Sequence, residues 1–108
     1  MSVRLTTLDG LPAAIRTPGF TRRGRGAGIV HLGVGAFHRA HQAVYTDDAL
    51  ARSGGDWMIT GVSLRSCDSA DALNPQTGLY TVLVRGGEGI SARVVGSIAT
   101  VLAAPREP

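Results

Sequence analysis

The chain has no lysine anywhere in its 108 residues, a single cysteine, and few aromatics: two Phe, two Tyr and one Trp. Each scarcity excludes something. Without lysine the chain supplies neither a lysine base nor a Schiff-base amine. A lone thiol, Cys67, forms no internal disulfide, which rules out a stapled secreted scaffold and points to a reducing compartment, the cytoplasm. No apolar run approaches the roughly 20 residues that span a bilayer, so no membrane partner is expected. The opening run Met1-Ser2-Val3-Arg4-Leu5 lacks the apolar stretch and cleavage site of a secretory signal. With so few rings, the core must come from Val, Leu, Ile and Ala.

What is present fits one folded domain. Hydrophobic residues make up 44% and charged residues 18% of the chain, too apolar for a disordered tail. All 11 basic residues are arginine against eight acids, a net charge of +3. The pI near 10 therefore reflects arginine chemistry more than a large excess of positive charge.

Residues 1–28 read as a lead-in segment. Pro12, Pro18 and the run Thr21-Arg22-Arg23-Gly24-Arg25-Gly26 resist regular structure, with room for a short helical turn through Leu8, Leu11, Ala14 and Ile15. Gly28-Ile29-Val30-His31-Leu32 then reads as a buried strand that runs into Gly33-Val34-Gly35. Residues 37–53 favour helix, with Ala40, Ala43, Val44, Asp47 and Leu50 at three- and four-residue steps, and Gly54-Gly55 stops it. Residues 57–64 read as a second strand. Strand, glycine turn, helix and strand make a βαβ unit with parallel strands and a right-handed crossover. Residues 79–84 and 90–101 are β-branched-rich runs on either side of Arg85-Gly86-Gly87-Glu88-Gly89, the pattern of an antiparallel hairpin. Ala103-Ala104-Pro105-Arg106-Glu107-Pro108 resembles a linker or a truncation point.

A strand that enters a helix through Gly33-x-Gly35 leaves backbone N–H groups unpaired at the helix start, where a phosphate is favoured. The first glycine permits the tight turn, and the second lets the backbone approach a pyrophosphate. The usual third glycine would fall at position 38, which is His38. Asp68 lies past the second strand, where a dinucleotide fold places an acid on ribose hydroxyls; capping a helix is its plainer alternative. Arg39 and Arg65 each suit a pyrophosphate, and Arg65 suits a 2′-phosphate as well, so NAD and NADP both stay open.

The string Ile29-Val30-His31-Leu32-Gly33-Val34-Gly35-Ala36-Phe37-His38-Arg39-Ala40-His41-Gln42 resembles the N-terminal signature of the mannitol dehydrogenase family. These are long-chain, zinc-independent polyol dehydrogenases that include fructuronate and tagaturonate reductases. The resemblance continues through Gly61-Val62-Ser63-Leu64-Arg65-Ser66, Gly78-Leu79-Tyr80-Thr81 and Val94-Val95-Gly96-Ser97-Ile98, and covers residues 29–104. In that family a histidine at the third glycine position is expected. The resemblance implies an α/β fold: a partial Rossmann-type βαβ unit with parallel strands, extended by an antiparallel β-hairpin. It also implies NAD as cofactor, with NADP open, and a cofactor site of Gly33, Val34, Gly35, Ala36, Phe37, His38, Arg39 and Asp68. Some relatives carry two adjacent acids after the second strand. Here Cys67 takes the earlier place, which puts strict NAD preference in doubt. Relatives are several times longer, with a helical domain that supplies a catalytic lysine. The expectation is thus residues 29–104 as a partial cofactor domain and residues 105–108 as a linker or end. No catalytic residue is expected in this chain, and a sugar alcohol or keto-acid substrate is expected only where that further domain is supplied.

Competing readings are weaker. His38 and His41, three apart, share a helix face near His31, but no convincing third ligand accompanies them, so no metal site is expected. The runner-up function is a non-catalytic nucleotide- or nucleic-acid-binding module that uses Arg22, Arg23 and Arg25. The run is short, lacks interleaved aromatics, and reads more simply as a solvated linker. Cys67 reads as a structural thiol, Trp57 as core, and Asp47 and Asp48 as solvent-facing, with Asp47 able to pair with an arginine.

Overall fold

The structure, a computed structural model, describes residues 8, 11, 14–87 and 89–106. Leu8, Leu11, Ala14 and Ile15, whose spacing suggested a short helical turn, are not helical, and residues 9, 10, 12 and 13 lie outside the described residues. The elements are β1 (Ala27–Leu32), α1 (Ala36–Ala40), α2 (Gln42–Ser53), β2 (Met58–Ser63), α3 (Asp68–Leu73) with a 3-10 turn over Asn74–Gln76, β3 (Tyr80–Gly86), β4 (Gly89–Val95) and β5 (Ile98–Ala103). The fold is α/β: β1, β2 and β5 form a parallel sheet in that order, and β3 and β4 form a separate antiparallel hairpin. No described helix is long and apolar enough to cross a membrane.

Side-chain alternation explains why the sheet has one dry face. In register, Ile29 sits beside Ile59 and Ile98, and His31 beside Gly61 and Val101. Ile59, Ile98 and Val101 join Ala43 of α2 and Ala70 and Leu73 of α3 in one buried cluster. Both helices therefore cover the same face. The alternate residues Val30 and Leu32 remain largely exposed on the other face.

Two expectations about continuity are corrected. The helix expected over residues 37–53 is broken at His41, whose backbone (φ −122°, ψ −79°) leaves the helical region. The strand expected over residues 90–101 is two strands. β4 ends at Val95, the chain turns at Gly96-Ser97, and β5 crosses into the parallel sheet. Polar anchors make that turn: the Gly96 N–H donates to Asp47 Oδ1 at 2.8 Å, and Ser97 Oγ donates to the Ala43 carbonyl at 2.6 Å.

Asp47 corrects a further expectation, because it is buried. Besides Gly96 it accepts from Arg93 Nη2 at 2.9 Å, and the same nitrogen reaches Asp48 at 2.6 Å. The pair locks α2 onto β4. Trp57, expected in the core, is instead more than half exposed.

Candidate functional site

β1 ends at Leu32, and the Gly33 N–H continues the ladder by donating to the Val62 carbonyl at 2.8 Å. The chain then turns sharply, with Gly33 at φ +87°, a conformation that side-chain-bearing residues rarely adopt. Val34 points inward and is buried against Gly61 of β2. A Cβ at position 61 would fall 2.3 Å from Val34 Cγ1. The close strand–turn packing that a third turn glycine would provide is thus supplied by Gly61, from a neighbouring strand.

Gly35 precedes α1 and caps it with no side-chain hydrogen bond. The first N–H groups of any helix lack intrahelical partners, so those of Ala36, Phe37 and His38 are left for solvent or a ligand. A Cβ built on Gly35 meets no atom within 4 Å. Because α1 is only five residues long, any anion here depends on these nearby donors more than on a long helix dipole.

Opposite the turn, the segment after β2 forms a second wall. Gly33, Val34 and Gly35 face Ser63, Leu64, Arg65 and Ser66 across a cleft of about 330 Å³ at the carboxyl ends of β1 and β2. Ser69 of α3 closes its end, with its hydroxyl donating to the Val34 carbonyl at 3.4 Å. Arg65 is exposed at the rim, and no hydrogen bond or ion pair among the described residues engages its guanidinium. Asp68 opens α3 next to this wall. Its carboxylate is exposed and its N–H donates to Ser66 Oγ at 3.3 Å.

The expected site residues therefore divide. Gly33, Val34 and Gly35 line the cleft, Ala36 begins the helix above it, and Asp68 stands beside it. Phe37 is exposed and stacks on His41 at 4.3 Å between centroids. His38 and Arg39 turn away from the cleft. His38 is buried, stacked on His31 at 3.8 Å, with neither ring nitrogen hydrogen-bonded. Burial, and secondarily His31, pushes its pKa down to about 4, so the ring is neutral. The Arg39 carbonyl accepts from the Tyr80 hydroxyl at 2.6 Å. Burial, with Asp47 adding to it, holds that phenol above its ordinary range. Ser63, Leu64, Ser66 and Ser69 were not singled out from sequence. A small and polar run directly after a strand in register with the glycine turn is the signal that would have found them.

The metal and nucleic-acid alternatives meet the same geometry. His38 faces inward and His41 outward, so they do not share a helix face. Among the described residues no three His, Cys, Asp or Glu side chains converge. Arg22 donates to the carbonyls of Gly96 at 2.9 Å, Ile98 at 3.1 Å and Thr77. Arg25 donates to Thr21 and Gly55, each at 2.8 Å. Two of the three arginines thus close turns of the fold. They also edge a larger recess of about 940 Å³ with Phe20, Met58 and Leu79, away from the carboxyl ends where open α/β sheets bind ligands.

Comparison with known proteins gives a consistent result. The family model for the mannitol dehydrogenase Rossmann domain matches residues 27–107. Mannitol 2-dehydrogenase of Pyrenophora tritici-repentis is 48% identical over 94 residues, covering 84% of this chain and 17% of that one. Among solved structures, Pseudomonas fluorescens mannitol 2-dehydrogenase in ternary complex with NAD and D-mannitol superposes with a TM-score of 0.87 at 40% identity, over 99% of this chain and 23% of that one. A D-sorbitol dehydrogenase in substrate-free form gives the same TM-score at 35% identity and the same coverage. The chain spans less than a fifth of the length of the curated relative.

Proposed function

The chain belongs to the mannitol dehydrogenase family, and from that premise we propose that its cleft holds the diphosphate and adenosine ribose of NAD. The supporting observation is the Gly33-Val34-Gly35 turn facing Ser63–Ser66 at the carboxyl ends of two parallel strands, with open space over Gly35. Backbone N–H groups from Gly35 to His38 donate to the diphosphate, and Arg65 neutralises its charge. Phe37, His38 and Arg39 act through their main chain and by packing. Asp68 accepts from ribose hydroxyls. With Cys67 in place of a second acid and Arg65 nearby, NADP is discriminated against only weakly.

When bound, NAD supplies a hydride acceptor for the oxidation of a carbinol. This chain's part is to bind and orient it. In this reading the 108 residues serve an NAD(P)-dependent oxidation of a sugar alcohol or aldonate and contribute no catalytic residue. A cytoplasmic setting, supported by the single thiol, belongs to the same proposal.

The test is an NMR titration of the 108-residue chain with NAD⁺, NADP⁺ and ADP. Saturable shift changes confined to residues 33–38 and 63–69, at weak affinity, are expected. The absence of saturable change, or changes centred on Arg22, Arg23 and Arg25, would refute the assignment. The chain alone is also expected to give no NAD(P)H turnover with mannitol, fructose or fructuronate.

A further inference from the structure

The recess of about 940 Å³ lies at the end of the sheet opposite the glycine turn, where Met58 opens β2 and Ala99 follows the first residue of β5. Leu8, Phe20 and Leu79 extend the apolar wall that these two begin. Arg22, Arg23 and Arg25 stand along it, and no acid is among its lining residues. A mostly apolar cavity of this size with a few convergent polar groups is the usual form of a small-molecule site.

The three arginines are not equivalent. Arg22 is spent on the fold, donating to the carbonyls of Gly96, Ile98 and Thr77. Burial pushes its guanidinium below its ordinary range, with Asp47 opposing that only in part, so its charge is poorly screened by water. Arg25 donates to Thr21 and Gly55 and lies over the Phe20 ring, 5.6 Å from its centroid. Arg23, between them, is exposed, and its guanidinium makes no hydrogen bond, ion pair or ring contact among the described residues. One free fork therefore stands in the field of two fixed cations. The far wall is fixed too. The 3-10 turn that leads to Thr77 is tied to β5 by Asn74, whose Nδ2 donates to the Val101 carbonyl at 2.7 Å and whose Oδ1 accepts from the Val101 N–H at 2.9 Å. A site built in advance in this way loses little to ordering when a ligand enters.

This inventory selects a ligand. A single free fork matches a single anionic head, and a planar carboxylate takes it through two parallel hydrogen bonds. A nucleic-acid backbone presents a run of phosphates and needs several such donors. A sugar phosphate would set hydroxyls against Met58 and Leu79, where they find no partner. We infer that the recess binds a monocarboxylate on an apolar body, a medium-chain acyl anion, with its head on Arg23 and its tail against Phe20, Met58 and Leu79. Arg22 and Arg25 add positive potential and hold the walls. The site is separate from the cleft at the glycine turn and does not depend on the cofactor reading.

The test is an NMR titration of the 108-residue chain with decanoate, kept below its micelle-forming concentration. Expected are saturable shifts at Phe20, Arg23, Met58 and Leu79, with nuclear Overhauser contacts from the alkyl tail to the Phe20 ring and the Met58 methyl group. Decanol, which has the tail without the charge, should bind about tenfold more weakly, and acetate, the charge without the tail, about a hundredfold or more. Arg23→Ala should weaken decanoate by about tenfold with circular dichroism and melting unchanged, and Arg23→Lys should recover part of the loss. NAD⁺ added to the decanoate complex should leave these shifts in place. Decanol as tight as decanoate would make the recess an unselective apolar surface and overturn the inference. So would displacement by NAD⁺, contacts confined to Val30 and Leu32, or undiminished binding by Arg23→Ala. The Overhauser contacts need no variant, so their absence at saturation sinks the site even if Arg23→Ala fails to fold.

Discussion

Around Asp47 the polar groups are matched within the chain: its two oxygens take Arg93 and the Gly96 N–H, Arg93 also takes Asp48, and Arg22 closes on carbonyls of the same turn. At the glycine turn the opposite holds, with a cap that makes no side-chain bond and an arginine that pairs with nothing described. Both regions join a helix to strands, and both contain charged or hydrogen-bonding groups at close quarters. Charge alone therefore does not mark a site; charge left unspent beside open backbone does. The first region is expected to respond to substitution through stability and the second through ligand affinity.

The largest departure from this contrast should come from Asp47→Ala. Removing one partner of a buried ion pair typically costs about 3–5 kcal/mol, a large share of the roughly 5–15 kcal/mol available to a domain. Urea unfolding should show it, and an unchanged midpoint would mean the junction is not structural. Gly61→Ala comes next, since its methyl group enters Val34. Overpacking of this kind costs about 1–3 kcal/mol, and Val34→Ala in the same chain should restore part of it. If Gly61→Ala proves neutral, the turn is not held from below.

A smaller effect is expected from pH. The unfolded chain protonates His38 near the ordinary imidazole value of 6.5, whereas burial lets the native ring resist until about 4. In that window the unfolded state binds more protons, so stability falls as pH drops from about 6.5 to 4. After allowance for solvent screening the loss is about 1–2 kcal/mol. Thermal melts of His38→Phe should lack this part of the slope. Smallest in stability, and most telling for the comparison, is Arg65→Ala. It should leave unfolding within about 0.5 kcal/mol while weakening NAD⁺ binding by about tenfold, or 1.4 kcal/mol. Asp68→Asn should narrow the difference between NAD⁺ and NADP⁺ affinities in the same titration.

Features set by neighbouring residues were legible in the sequence. The apolar run of β1, the Gly33-x-Gly35 turn and the Gly54-Gly55 stop depend on local backbone geometry, so the βαβ unit could be read directly. Features set by distant partners were not. The burial of Asp47 depends on Arg93 and Gly96, more than 40 residues away. The break between β4 and β5 is hidden because Val94, Val95 and Ile98 keep a β-branched character across it, while the Gly96-Ser97 anchors lie on α2. The same cause explains the candidate site. One wall is a local motif, and the other, Ser63–Ser66 with Ser69, becomes a wall only through parallel pairing. His38 matches the family string, but its inward turn follows from His31 on the adjoining strand.

Asn74 has a consequence for the size to which this sheet can grow. A sheet with two bare margins can add neighbours at both and propagate into fibres. Here the β5 margin is occupied at Val101 by a carboxamide that mimics a peptide unit, so a strand from another molecule could pair there only by first displacing Asn74.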